Sequence, residues 1–256
     1  MDLLRRKLKE STYLFRKGTY IHPEKLDMEK PFMPPDEERI LSGNSKMLKK
    51  SGSVVSCFDK EEGAFIKIYR RNGFLRTLKR FFGFPRSYRC LAGALRLKEL
   101  GIHTPEVWYA SRFVLKTAFL PESVQFLNYS PAKIGDLMDL LVCLHHGGFV
   151  HGDLNYRNIY RTTDGRYGLI DLDSVQLYPG TLPLRQRMKE LSRLVSSGLF
   201  FNRVSCWKEI RQCALDCCIL YEEKSRLSCD RDFVIRKVCS QMRAYGRKHG
   251  IRYEEE

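Results

Sequence analysis

The sequence has no apolar run long enough to cross a bilayer. Its longest, around Leu137–Leu144, is interrupted by Asp139 and falls well short of the roughly 20 residues a spanning helix needs. It also lacks a signal-like start. MDLLRRKLKE carries charge where a secretion signal would hold its apolar core, which predicts a cytoplasmic protein. The nine cysteines include no C-x-x-C pair, and an odd number of thiols makes a poor disulfide framework. Cys206, Cys213, Cys217, Cys218, Cys229 and Cys239 are therefore expected as reduced, buried thiols and not as zinc ligands. Acidic residues are in deficit, 30 against 45 basic, which leaves a net charge of +15. That surplus suits a polyanion: nucleic acid, an anionic membrane face or a phosphorylated substrate. No nucleic-acid recognition motif accompanies the charge, so no nucleic-acid partner is expected.

What is present is an ordinary globular composition, 43% hydrophobic and 29% charged, in a chain of 256 residues that can bury one large core or two smaller ones. Residues 1–45 read as a leader, with the proline-rich EKPFMPPDEE as an exposed connector. Basic residues gather at Arg5, Arg6, Lys7 and Lys9, and again from Lys67 through Arg70, Arg71, Arg76, Lys79, Arg80 and Arg86. Two strands, Gly52–Phe58 and Ala64–Tyr69, flank the polar turn Asp59–Gly63. A helix is predicted over Tyr88–Leu100, stopping at Gly101, and mixed β character over Glu106–Leu120. Ser130-Pro131 marks the start of a second helix that ends at Gly147-Gly148, where His145 and His146 are expected as C-terminal cap and dipole residues. Short strands at Asn158–Arg161 and Tyr167–Leu172 surround an Asp164-Gly165 turn, and the pattern from Leu184 onward is helical. The order predicts an α+β protein with a small β-rich lobe, residues 46–120, and a larger mostly helical lobe, residues 121–256.

One stretch concentrates chemistry. Phosphoryl transfer from ATP needs a carboxylate to receive the acceptor proton. It also needs an amide oxygen and a second carboxylate for Mg²⁺, and a lysine for the phosphate chain. HGDLNYRN supplies Asp153 and, five residues on, Asn158. The short hairpin then returns Asp171 to the same edge. Upstream, Lys67 stands in the apolar strand AFIKIY, where an unpaired ammonium would be costly to bury.

These motifs resemble the protein-kinase-like superfamily, with its H-x-D-L-x-x-x-N loop followed by a hairpin and a metal-binding Asp. The form H-G-D-L with I-D-L is more similar to the bacterial lipopolysaccharide core sugar kinases, the family of Kdo kinase and the core heptose kinases. That similarity extends over residues 50–200, through IKIYRRNGFLRTLKRFFGF, LKELGIHTPEVWYA, LHHGGFVHGDLNYRN and RMKELSRL. It implies a two-lobed fold with ATP and Mg²⁺ as cofactors, Asp153 as catalytic base, and Asn158 and Asp171 as metal ligands. Lys67 would contact the nucleotide, and His151 would brace the loop. It further implies a sugar acceptor on the lipid A–core glycolipid and a peripheral location on the anionic inner-membrane surface. The sequence departs from the kinase pattern in four places. No G-x-G-x-x-G precedes Lys67, Cys90 stands where a helix glutamate is expected, Asn155 replaces the usual loop lysine, and no A-P-E follows Asp171. A kinase of another small-molecule or protein hydroxyl, and a catalytically weak pseudokinase, are the competing readings.

Overall fold

The computed structural model describes residues 14–16, 19–21, 45–50, 54–69, 85–120, 125–126, 134–180 and 182–254. The chain divides into two units, residues 1–98 with 104–122 and residues 99–103 with 123–256. It is α+β, with one large antiparallel sheet in the first unit and mostly helices in the second. This is the element order expected of a protein-kinase-like fold.

The first unit contains β1 (Leu14–Arg16), β2 (Thr19–Ile21), β3 (Ser45–Lys50), β4 (Val54–Asp59), β5 (Ala64–Tyr69), α1 (Arg86–Glu99), β6 (Val107–Ala110) and β7 (Val114–Ala118). The strands form one antiparallel sheet in the order β1-β2-β6-β7-β5-β4-β3. Part of the expected leader is thus sheet, because β2 pairs with β6 through Tyr20↔Ala110 and Ile21↔Tyr109. Three-residue strands are too short to leave a periodicity in the sequence. The connector EKPFMPPDEE, the cluster Arg5–Lys9, residues 51–53 and Arg70–Arg80 of the second basic cluster lie outside the described residues.

The β4–β5 hairpin forms where its turn chemistry predicts. Asp59 Oδ1 accepts the amide hydrogens of Glu61 and Glu62 at 3.1 and 3.3 Å, and Gly63 takes φ +61°. Strand alternation then divides the faces. Val55, Cys57, Ala64, Ile66, Ile68, Tyr109 and Val114 form a buried cluster against Trp108 and Phe113.

The second unit begins its described elements with β8 (Gln125–Phe126) and α2 (Ile134–His146); residues 130–133, including the predicted helix start, lie outside the described residues. Next come β9 (Phe149–Val150), β10 (Ile159–Arg161), β11 (Tyr167–Leu169) and β12 (Gln176–Leu177). The hairpin strands are shorter than predicted, because Asn158 closes one 3₁₀ turn and Leu172 opens another. β11, β10 and β8 make a three-stranded sheet, while β12 pairs with β9. Three helices follow: α3 (Leu184–Phe201), α4 (Trp207–Ser225) and α5 (Arg231–His249). α5 packs on α3 and α4, and α4 also packs on α2. Their buried residues recur at helical spacing: Leu191, Leu194, Val195 and Leu199; Ile210, Ala214, Cys217 and Tyr221; Val234, Val238 and Met242.

All nine cysteines are free thiols, and of the six late ones only Cys217 and Cys218 are fully buried. The others are half-buried, so the expectation of a uniformly buried set is too strong. No helix among the described residues is long and apolar enough to cross a membrane. Leu141 on α2 is completely buried, and Leu141→Ala is expected to lower the unfolding free energy by about 2–5 kcal/mol in urea titrations.

Candidate active site

The loop between β9 and β10 is held by its own backbone partners. His151 is completely buried. Its Nδ1 accepts the Asp153 N–H at 3.3 Å, which leaves Nε2 as the protonated nitrogen, donating to the Ile170 carbonyl at 2.9 Å. One ring therefore ties the residue before Asp171 to the residue bearing the candidate base. Three further contacts fix Asn158. Its amide Nδ2 donates to the Asp153 carbonyl at 2.9 Å, its N–H donates to Asn155 O, and its carbonyl accepts the Ile170 N–H at 3.0 Å. Because Nδ2 is spent on the backbone, Oδ1 remains as the oxygen a cation could use. Asn155 Nδ2 also donates to the Asp153 carbonyl, and Asn155 Oδ1 caps the 3₁₀ turn through Arg157 N–H.

Asp171 follows at φ +60°, ψ 53°, a left-handed conformation uncommon for a residue with a side chain. The β9–β12 pair returns the chain beside the loop entry, Gln176 opposite Val150 and Leu177 opposite Phe149. Gly152, at φ +81°, passes so close that a Cβ there would lie 2.4 Å from the Ser174 carbonyl oxygen. Only glycine fits both the angle and the approach. Asp153 and Asp171 are exposed and Asn158 is buried. The structure thus brings Asp153, Asn158 and Asp171 to one loop-and-hairpin edge.

Helix α3 lies along the same loop and contacts it in sequence. Glu190 Oε1 accepts the Gly152 N–H at 2.8 Å, Arg193 Nε is 3.9 Å from Asp153 Oδ1, and Ser197 Oγ accepts the Tyr156 N–H at 3.4 Å. Phe201 then meets the Arg157 guanidinium, 5.0 Å above its ring. Positions 190, 193, 197 and 201 share one helical face. Their 3–4–4 spacing was visible in the sequence, but nothing there shows that this face meets the loop.

Glu190 is 1% exposed and sits in a buried polar chain. His145 Nε2 donates to Glu190 Oε2 at 3.3 Å, and His145 Nδ1 accepts from the Tyr221 hydroxyl at 2.9 Å. The buried Arg187 guanidinium hydrogen-bonds the same hydroxyl; burial raises the Tyr221 pKa, and that cation offsets part of the rise. His145 is therefore no helix-end cap. It faces inward and joins α2, α3 and α4, whereas His146 Nε2 bonds the Ser225 carbonyl at 3.2 Å.

Lys67 belongs to the first unit. On β5 it lies opposite Ser56 and Leu115, half-buried, on the face away from Ile66 and Ile68. Its ammonium is 6.0 Å from the Phe65 ring centroid. Alternation therefore keeps this lysine out of the apolar core. Cys90, at the position where a helix glutamate was sought, is buried with its thiol 3.9 Å from the Tyr69 hydroxyl. Glu99 is exposed. Asp173 and Ser174 lie in the 3₁₀ turn after Asp171, half-buried and exposed respectively.

No protein-family model matches the chain, and no curated protein matches it. Among solved structures it is similar to the Rio2 kinase–ADP/Mg²⁺–phosphoaspartate complex from Chaetomium thermophilum. There the identity is 17%, covering 81% of this chain and 66% of that one, with a TM-score of 0.38. It is also similar to the bifunctional kinase-methyltransferase WbdD, at 16% identity over 74% of this chain and 47% of that one, TM-score 0.44. A co-crystal of WbdD with the kinase inhibitor LY294002 matches at 14% identity over 76% and 44%, TM-score 0.42. The chain spans about two thirds of the first protein's length and under half of the WbdD chain.

Glu190→Ala leaves the Gly152 N–H and the His145 N–H without their acceptor inside the fold. It is expected to cost about 1–3 kcal/mol for each unsatisfied group, and Glu190→Gln less, in urea unfolding.

Proposed function

We propose that this protein is an ATP- and Mg²⁺-dependent phosphotransferase that phosphorylates a sugar hydroxyl, Kdo or heptose, of the lipopolysaccharide core at the cytoplasmic face of the inner membrane. The observation that carries the phosphotransferase reading is the backbone-braced juxtaposition of Asp153, Asn158 and Asp171. Asp153 is exposed, with its backbone N–H and carbonyl fixed, so its carboxylate can receive the proton of an acceptor hydroxyl. That oxygen then bonds to the γ-phosphorus as the bond to the ADP leaving group breaks.

Asn158 Oδ1 and the Asp171 carboxylate offer oxygen donors only, as a hard cation requires. One amide oxygen and one carboxylate suit an ion completed by phosphate oxygens and water. No group of three or more His, Cys, Asp or Glu side chains able to hold a metal ion occurs among the described residues, so a protein-only cage is not what this site offers. Bound there, Mg²⁺ would offset the charge of the phosphate chain. Lys67, on the polar face of β5, is the residue assigned to the nucleotide phosphates.

The sugar acceptor and the membrane rest on the resemblance of HGDLNYRN, IKIYRR and RMKELSRL to the core sugar kinases, and on the net charge of +15. Near an anionic leaflet each basic residue contributes roughly 1 kcal/mol, so a few clustered ones give reversible association. A second reading, a pseudokinase that binds nucleotide without transfer, draws on Cys90, packed against Tyr69 where a glutamate partner for Lys67 was sought.

Labelled ATP, Mg²⁺ and lipid A–core glycolipid test the proposal. Wild type is expected to transfer label to the glycolipid, and Asp153→Ala to lose about 10²–10⁴-fold in rate. Full transfer by Asp153→Ala would remove the base assignment. Label on a different acceptor in a screen read by intact mass would replace the sugar, and Mg²⁺-independent nucleotide binding without turnover would favour the pseudokinase.

A further inference from the structure

Near Asp153 the second unit gathers two guanidinium groups and several aromatic rings. Arg193, on the loop-facing side of α3, approaches Asp153 Oδ1 with Nε at 3.9 Å, too far for a formed hydrogen bond. Its side chain is 35% exposed and that of Asp153 is 53% exposed. Arg157, also exposed, stands over Phe201, its guanidinium carbon 5.0 Å from the ring centroid. Phe201 is an exposed large hydrophobic residue at the end of α3. Beside it Phe200 stacks on Tyr245 at 4.7 Å and meets His249 at 5.0 Å, which joins the end of α3 to the end of α5. Burial pushes the Tyr245 hydroxyl up, Asp153 pushes it further, and Arg193 and Arg157 pull it down, so all four groups share one electrostatic neighbourhood.

Arg193 has only the 3.9 Å approach to Asp153, and the exposed Arg157 guanidinium rests on the Phe201 ring. Neither guanidinium has a hydrogen bond to a described residue. Arginine offers a planar fork of donors that matches a carboxylate or a phosphate, and the exposed Phe201 ring, with half-buried Tyr245 near it, gives a ring-shaped acceptor an apolar edge.

We propose that Arg193 and Arg157 form an oxyanion subsite that binds a carboxylate or phosphate carried by the acceptor next to the hydroxyl presented to Asp153, with Phe201 and Tyr245 as its aromatic wall. This rests on the phosphotransferase reading, because only there does Asp153 meet an acceptor. Arg193 is then a residue of acceptor specificity. Its distance from Asp153 sets how far the oxyanion stands from the reacting hydroxyl.

The test separates binding from transfer. Kdo is titrated against its methyl ester, and a heptose phosphate against free heptose, into the full chain and into Arg193→Met, Arg193→Lys and Arg157→Gln. Wild type is expected to bind the charged member of at least one pair about 10–100-fold more tightly. Arg193→Met should abolish that preference and Arg193→Lys restore part of it. Arg157→Gln, at an exposed position, should weaken it with the fold intact by circular dichroism. The arm that shows the preference identifies the oxyanion. Equal binding of charged and neutral members by wild type in both arms would overturn the subsite, as would an undiminished preference in Arg193→Met. With the glycolipid acceptor, the loss should appear in KM; a loss confined to kcat would make Arg193 a group that positions Asp153 and would also overturn the proposal. Mg²⁺-dependent ATP turnover by wild type against Asp171→Ala judges the phosphotransferase reading separately, and its absence would remove that reading whatever the titrations show.

Discussion

The imidazole of His151 sets the geometry of the candidate site. Fully buried, it accepts from the backbone of Asp153 and donates to the carbonyl of Ile170, the residue before Asp171. Two carboxylates eighteen residues apart in the chain thereby share one rigid ring as a spacer. The demand is strict: one ring nitrogen must accept and the other must donate, so a single tautomer satisfies both backbone groups. The Asn158 contacts to Asp153 O and from Ile170 N–H make the same link a second time. Breaking either would leave buried polar groups unpaired, which costs more than the hydrogen bonds themselves contribute.

A loop tied only to its own hairpin could still rock as a body. Helix α3 prevents this by contacting it at Gly152, Asp153, Tyr156 and Arg157 from residues 190, 193, 197 and 201. The anchor at Gly152 is a carboxylate, and a buried carboxylate needs its own partners. His145 provides one and is itself held by Tyr221, which links α2 and α4 to the same point. A buried carboxylate left without a donor would be costly, which explains why a histidine at the end of α2 faces inward and not toward the helix dipole. The same helix that steadies the loop carries Arg193 and Phe201 on that face, so loop support and the proposed oxyanion subsite draw on one stripe of residues.

In the first unit the decisive constraint is the two-residue period of β5. Ala64, Ile66 and Ile68 fill the core cluster, which leaves Phe65 and Lys67 to the other face. Lysine in this strand is thus tolerated without burying its charge, and its chemical role depends on that opposite face. Five of the six residues are hydrophobic, so composition alone makes the strand look apolar throughout, and its two-residue period corrects that. The short strands β1 and β2 show the opposite limit, since three-residue pairings gain their stability from the neighbour β6 and not from any pattern of their own.

Much of the site was legible because its chemistry is local. Asp153 and Asn158 lie five residues apart on one loop, and the Asp164-Gly165 turn that brings Asp171 back is a short-range signal. The α+β order, the hairpin at Asp59–Gly63 and the helical second half follow from periodicity and turn residues in the same way. The partners of Glu190, Arg193 and His145 were not legible. Each lies 38 or more residues away in sequence, and only packing of α3 against the loop and against α2 and α4 selects it. Local sequence sets which groups a loop or strand can present, because backbone conformation is chosen over a few residues. Which helix face meets that loop depends on the burial of the entire second unit, and so the tertiary structure alone decided that an arginine stands beside the candidate base.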